Sequence, residues 1–360
     1  MGTQPARALV YSDYRRARRD FRTPKPPGLP DEPMRVIVHG GAGGSPDDPE
    51  PRQATLEDAA DAGASETDPV DAVEAAIRVL EADPRFNAGT GGAVQSDGVV
   101  RTDAGVMASD RGAGDDREES PNGRTGSAAT REAGAAASMP GVEAAVSVAR
   151  AVMEETPHVL LNGVHAVDFA ADVGVDVECD LWSEDTRERW DDLDDHPEGS
   201  PTEHLDWIRD KFGSTDPGGR EEEDGDADEG VDGYEKDHDT VGAVAFDGET
   251  LAAATSTGGR WLALAGRVGD VPQIGSGFYA APAGAASATG AGEDIAKTTL
   301  TRRAVRHLEG GMGAQAAADR AIEEFGELTG SSAGVIVLDS DGEYGEAFNS
   351  AAMQTARDRT

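Results

Sequence analysis

Residues 183–238 are dense in Asp, Glu, Gly and Pro and carry the run Glu221-Glu222-Glu223-Asp224-Gly225-Asp226. A stretch of this kind reads as a flexible acidic linker, because its side chains bring too little apolar surface to offset the entropy of ordering the chain. It stops abruptly at Thr240-Val241-Gly242-Ala243-Val244-Ala245-Phe246, which has the texture of a buried strand. Any core must therefore be assembled from sequence on both sides of the linker. A flexible segment running directly into a threonine that opens a buried strand is what a self-cleaving precursor requires, although a linker ending at an ordinary strand looks the same.

On the N-terminal side, Arg35-Val36-Ile37-Val38-His39 predicts a strand and Gly40-Gly41-Ala42-Gly43-Gly44 a tight loop. That loop lacks the lysine of a phosphate loop and the spacing of a dinucleotide fingerprint, so close backbone packing is its better reading. Asp68-Pro69 supplies an N-cap and a first-turn proline for a helix whose apolar positions are Val70, Val73, Ala76, Ile77 and Leu80. A β-hairpin is expected over 93–107 with its turn at Asp97-Gly98, a surface insertion over 109–132, and a helix over 141–154. On the C-terminal side the pattern predicts a hairpin over 240–257, helices over 293–308 and 314–324, and strands at 333–338 and 344–349.

The 360 residues carry a net charge of -38, from 70 acidic and 32 basic side chains. Such an excess repels nucleic acid and points to a solubility device for a salt-loving host, where charge is screened within roughly 3 Å at molar salt. Cys179 is the single cysteine, which excludes an internal disulfide, and no apolar run reaches the roughly 20 residues of a membrane span. A cytoplasmic location is expected. Residues 1–33, with Arg15, Arg16, Arg18, Arg19 and Arg22 followed by Pro24, Pro26, Pro27 and Pro30, read as a disordered extension without the apolar region of a signal peptide. Folding is expected to begin at Met34.

Six ordered segments resemble the threonine-type isoaspartyl peptidase/L-asparaginase family: Val38-His39-Gly40-Gly41-Ala42-Gly43, Phe86-Asn87-Ala88-Gly89, His238-Asp239-Thr240-Val241-Gly242-Ala243-Val244-Ala245, Thr255-Ser256-Thr257-Gly258-Gly259, Gly266-Arg267-Val268-Gly269-Asp270 and Ala288-Thr289-Gly290-Ala291-Gly292-Glu293. The likeness runs from Met34 to the C-terminus. It implies the four-layer αββα sandwich of the N-terminal nucleophile hydrolases, an α+β fold formed by one domain over 34–360. Cleavage between Asp239 and Thr240 would divide it into an α subunit, 34–239, and a β subunit, 240–360, with a homodimer of cleaved protomers as the mature species.

The resemblance assigns roles residue by residue. Thr240 would be the nucleophile, with its own freed α-amino group, of reference pKa about 8, as the base. Thr257 would tune its hydroxyl, and Asn87 would orient the nucleophile region. Thr289 and the Gly290 N–H would form an oxyanion hole, a device commonly worth about 3 kcal/mol. Arg267 would fork the substrate α-carboxylate, Asp270 would receive its α-ammonium, and Gly292 would line the same pocket. No cofactor is implied for the chemistry, but the loop of Leu80, Glu81, Asp83, Phe86, Ala88 and Thr90 resembles one that holds a structural sodium ion through backbone carbonyls. Two departures leave the substrate open. Asp239 stands where many such asparaginases have glycine, as in glycosylasparaginases and the threonine aspartase, and Ala291 replaces a residue that is often polar. Three readings therefore remain: hydrolysis of β-aspartyl peptides and asparagine, hydrolysis of glycosylated asparagine or a protein by the same nucleophile, and an uncleaved scaffold.

Overall fold

The computed structural model describes residues 33–46, 48–109, 132–212 and 240–358. The 1–33 extension up to residue 32, most of the 109–132 insertion, residues 213–238 of the linker, and Asp239 lie outside the described residues.

Two sheets organise the chain. The larger has the order β11 (Ala352–Arg357), β1 (Arg35–Gly43), β5 (Val241–Phe246), β6 (Leu251–Thr257), β2 (Arg101–Ala108), β3 (Glu132–Pro140) and β4 (Leu160–Asn162). Its neighbours are antiparallel except for the short β3–β4 pair. The smaller sheet runs β10 (Tyr344–Phe348), β9 (Ala333–Asp339), β8 (Gly284–Gly290) and β7 (Phe278–Ala281), all antiparallel.

Alternation along the strands divides the interior into two apolar cores. Val36, Val38, Val106, Ala243 and Ala245 face one core, shared with α1 (Pro49–Ala64), α2 (Pro69–Glu81), α3 (Ala145–Glu155) and α4 (Gly163–Asp172). Ile37, Met107, Val244 and Ala253 face the other, shared with the smaller sheet and with α7 (Gly292–Thr298), α8 (Leu300–Glu309) and α9 (Ala314–Thr329). The sheets approach closely because small residues meet large ones. A Cβ on Gly105 would lie 1.9 Å from Phe278 Cε1, and one on Gly242 would lie 1.9 Å from Ser287 Oγ.

Polar groups pin the helices over the larger sheet. Asp68 caps α2 by accepting from Val70 N at 3.0 Å. Arg150, buried on α3, bonds Asp71 at 2.6 Å, Glu74 at 2.7 Å and Glu154 at 2.8 Å. Removing Arg150 would take the guanidinium away from two buried carboxylates, Asp71 and Glu74. The N-terminus of α3 has no cap of its own; instead Val146 N donates to Glu81 Oε1 at 2.9 Å, and Ser256 Oγ donates to the same oxygen at 2.6 Å.

The helix over 69–81, the 241–257 hairpin and the strands at 333–339 and 344–348 form where the pattern places them. Several expectations are corrected. The glycines after His39 are not a loop: β1 continues through Gly43 with a bulge between His39 and Ala42, and a Cβ on Gly40 would sit 2.6 Å from Phe86. The part of the linker over 183–212 is not a flexible coil, since it contains α5 (Glu184–Asp191) and α6 (Pro201–Phe212), anchored by tryptophans that its acidic composition conceals. The 93–107 hairpin reduces to one bridge, Val94 to Val100, because β2 pairs instead with β3 and β6. The helix over 293–308 is broken at Thr299, whose φ is 53°.

Burial pushes the Glu81 carboxyl up from 4.5 to about 7, against the opposing hydrogen bonds from Ser256 and Val146. The folded state holds this proton more tightly than the unfolded chain. Its stabilising effect is thus complete below about pH 4.5 and is lost as the pH rises through about 7. A shift of this size corresponds to about 3 kcal/mol. Glu81→Gln should therefore flatten the decline in guanidinium midpoint between about pH 5 and about pH 8 at fixed salt; parallel profiles for the two proteins would contradict this.

Candidate active site

Pairing of β5 with β6 puts Val241 opposite Ser256, so Thr240, one residue before β5, comes level with Thr257. Thr240 is 9% exposed, and its hydroxyl donates to Thr257 Oγ1 at 3.2 Å. Thr257 Oγ1 also accepts from Gly259 N at 3.1 Å. Asn87 ties down this end of β6: its backbone oxygen accepts from Gly258 N at 2.7 Å, its side-chain Nδ2 donates to Gly259 O at 2.6 Å, and its Oδ1 accepts from Ala93 N at 2.7 Å.

Thr289 and Gly290 end β8. Gly242 on β5 packs on Ser287, and the two-residue period of β8 turns Thr289 to the same side as Ser287. Thr289 is fully buried and accepts from Ala42 N at 3.2 Å, which ties it to the bulged end of β1. Gly290 needs its lack of a side chain twice over, having a φ of 132° and an approach to Ala333 Cα that leaves a Cβ only 2.6 Å away.

A charged cluster follows directly. A Cβ on Gly292 would lie 2.7 Å from Asp270 Oδ1 and 2.8 Å from Arg267 Nη2, so these three residues converge on one small space. Asp270 is buried and its Oδ2 has no hydrogen-bond partner. Burial lifts its carboxyl to about 7, with the attraction of Arg267 opposing the rise. Arg267 does not present an empty fork: its Nε and Nη2 grip Glu293 at 2.8 and 2.9 Å. Burial alone would raise the Glu293 carboxyl, but the hydrogen bonds and charge of Arg267 outweigh it and hold that group down at about 2.

Further polar residues that the motif reading passed over complete the site. Asp103, opposite Thr257 on β2, accepts from Ser138 N at 2.6 Å and holds Ser138 at a φ of 54°. Burial raises its carboxyl to about 6, countered by the Ser138 amide, by the charge of Arg267 and by the Gly269 amide, so it links the strand carrying Thr257 to the Arg267 loop. A lone carboxylate in an otherwise buried strand was the available signal. His39 heads a second chain of contacts. Thr255 Oγ1 donates to Gly277 O at 2.9 Å, so Ser287 Oγ, 2.7 Å away, must donate to Thr255 and accept from His39 Nε2 at 2.9 Å. The ring proton is thereby assigned to Nε2. Burial pushes the imidazole down to about 3, against the adjacent Thr240 backbone, so the ring is neutral.

The turn of Leu80, Glu81, Asp83, Phe86, Ala88 and Thr90 closes on itself, with Thr90 N donating to Glu81 O at 2.9 Å and Phe86 N to Asp83 O at 3.1 Å. Gly89, at a φ of 60°, passes so near the Glu81 carbonyl that a Cβ would lie 2.2 Å from its oxygen. Among the described residues no group of three or more His, Cys, Asp or Glu is placed to hold a metal ion.

The site thus brings together a buried threonine at a strand head, a second threonine bonded to it, a threonine-glycine pair on the facing sheet, and a nearby arginine-aspartate pair. The chain belongs to the asparaginase family, which it matches over residues 32–114 and 126–360. It is 40% identical over 336 residues to the plant-type L-asparaginase of Pyrococcus abyssi, covering 89% of this chain and 95% of that one. It is 38% identical over 329 residues to the plant-type L-asparaginase of Thermococcus kodakarensis, with 89% and 95% covered. Against the isoaspartyl peptidase/L-asparaginase of Danio rerio it is 34% identical over 330 residues, with 89% and 91% covered.

Asn87→Ala removes two buried side-chain hydrogen bonds and strands the Gly259 carbonyl and the Ala93 amide. A loss of about 2 to 3 kcal/mol in unfolding free energy is expected by guanidinium denaturation at fixed salt; a loss under about 0.5 kcal/mol would mean the loop is held by other contacts.

Proposed function

We propose that the protein cuts itself between Asp239 and Thr240 and then hydrolyses L-asparagine and β-aspartyl dipeptides, releasing aspartate. The observation that carries this reading is Thr240 itself: buried at the head of β5, its hydroxyl bonded to Thr257, in a chain whose relatives bear these activities in their names.

In the cleaved form the Thr240 α-amine takes the proton from Oγ as that oxygen attacks the side-chain amide carbonyl. The tetrahedral oxyanion is met by the Thr289 hydroxyl and the Gly290 N–H. Collapse breaks the C–N bond, the leaving amine receives the proton from the α-ammonium, and a β-aspartyl ester remains on Thr240. Water, deprotonated by the same amine, hydrolyses it. Asp270 receives the substrate ammonium. Because Glu293 occupies the Nε side of Arg267, the substrate carboxylate is offered the guanidinium's remaining edge, and Gly292 leaves room for it.

The two apolar cores, one on each face of the larger sheet, support a four-layer αββα arrangement of an N-terminal nucleophile hydrolase, with 34–239 as the α and 240–360 as the β subunit. The proposal includes a sodium ion held by backbone carbonyls of the Leu80–Thr90 turn, each of which keeps a second lone pair when it accepts one N–H. Such an ion would brace the turn that carries Asn87. A homodimer of cleaved protomers, a cytoplasmic location and a salt-rich setting, suggested by the charge of -38, complete the proposal. No helix among the described residues is long and apolar enough to cross a membrane.

Intact mass and N-terminal sequencing after several days in high salt should reveal two chains, the smaller beginning at Thr240, while Thr240→Ala stays whole. A single full-length parent chain would instead favour an uncleaved scaffold.

In a side-by-side assay, β-aspartyl dipeptide should be turned over faster than asparagine, and N-acetylglucosaminyl-asparagine least. Arg267→Leu should lower kcat/KM about thirty-fold to a thousand-fold, roughly 2 to 4 kcal/mol, while leaving self-cleavage intact. Preference for the glycosylated compound, which Asp239 before the nucleophile leaves open, would move the assignment to a glycosylasparaginase.

A further inference from the structure

The chain has four tryptophans, Trp182, Trp190, Trp207 and Trp261, and all four pack into one small apolar cluster that takes no part in the chemistry above. Trp190, on α5, meets Trp261 edge-on with ring centroids 6.5 Å apart, and a Cβ on Gly98 would lie 3.2 Å from it. From α6, His204 Nδ1 hydrogen-bonds Ser96 Oγ at 3.0 Å. The two helices thereby grip the 94–100 turn and the segment that begins at Trp261.

Those two segments are stitched together immediately before Arg267. Ser96 N donates to Ala263 O at 2.9 Å, and Ser96 Oγ accepts from Ala265 N at 3.1 Å. Gln95, 1% exposed, spans the next two residues: its Oε1 accepts from Gly266 N at 2.8 Å and its Nε2 donates to Arg267 O at 3.1 Å. Arg101 fixes Gln95 in turn at 2.9 Å, and is itself held by both oxygens of Asp97 at 2.9 and 2.7 Å. The loop so supported contains Gly266, at a φ of 86°, and Gly269, and would otherwise spend substrate-binding energy on ordering itself.

We propose that α5, α6 and the 94–100 turn form a brace that positions Arg267, with Gln95 holding its backbone and His204 and Trp190 holding the turn, so that a segment upstream of the proposed cut sets affinity for the amino-acid head of the substrate. The proposal rests on the functional reading above. It assigns Gln95 and His204 as positioning residues, which act on binding through Arg267 and leave the Thr240 chemistry alone.

The test uses Gln95→Ala, His204→Ala and His204→Asn in the full chain, with the parent as control. Steady-state kinetics on β-aspartyl dipeptide and asparagine is combined with calorimetric titration of L-aspartate and with hydrogen exchange of the peptide covering 262–270. Gln95→Ala should raise KM and the aspartate Kd about ten-fold with kcat within about two-fold of the parent, and should speed exchange at 266–270. His204→Ala should raise KM about three-fold or more and shift tryptophan emission, and His204→Asn, which can again bond Ser96, should recover most of the loss. Unchanged KM, Kd and exchange in both alanine variants, even with altered emission or stability, would reduce the brace to ordinary packing. Should Gln95→Ala not fold, the His204 pair decides the matter alone. A parent that hydrolyses neither compound would refute the functional reading instead, and the exchange data would still decide the brace: faster exchange upholds it and unchanged exchange overturns it.

Discussion

Register between β5 and β6 is the constraint on which the site depends. With Val241 opposite Ser256, the threonine before β5 comes level with Thr257, and Asp103 on β2 lies across from Thr257 on its other side. A slip of one residue would turn every side chain of β5 to the opposite face, sending Ala243 and Ala245 into the wrong core and Thr240 away from its partner. The close approach of Gly242 to Ser287 and His39 blocks such a slip, because no other residue fits at that point. Packing between the sheets and placement of Thr240 are thus one requirement met by one glycine.

The electrostatics around Arg267 follow from the same crowding. One guanidinium faces Glu293 directly and feels Asp103 and Asp270, and burial lifts the latter two towards neutrality while Glu293 stays ionised. Glu293 offsets the guanidinium, and the ionised fractions of Asp103 and Asp270 leave these four groups net negative near neutral pH. In the proposed reading, the unpartnered Oδ2 of Asp270 is what receives the substrate ammonium.

What the sequence disclosed depended on the physical signal each element leaves. The α2 helix carries an N-cap, a first-turn proline and an apolar stripe, and the 241–257 hairpin is apolar up to its turn, so both could be read. The α1 helix buries only Leu56, Ala59, Ala60 and Gly63, too faint a stripe to register, and five of the seven residues of β8 are alanine or glycine, which carry little strand preference. In α5 and α6, two tryptophans among many carboxylates supply the apolar contact, and average composition hides them. The site residues were legible as motifs, but Glu293, Asp103 and Gln95 act through partners distant in sequence, which only the fold brings together.

The order of the larger sheet bears on what a cut before Thr240 would mean. Strand β1, from before that point, lies between β11 and β5, both from after it, and β6 from after it pairs with β2 from before it. The two pieces would be interleaved like the teeth of two combs, so neither could leave without opening three strand ladders. Folding, a one-molecule process for the intact chain, would become a two-molecule process for the cut one. A cut protein unfolded by heat or denaturant would thus recover at a rate set by its concentration, and in dilute solution its active state would persist through slow unfolding more than through any capacity to re-form.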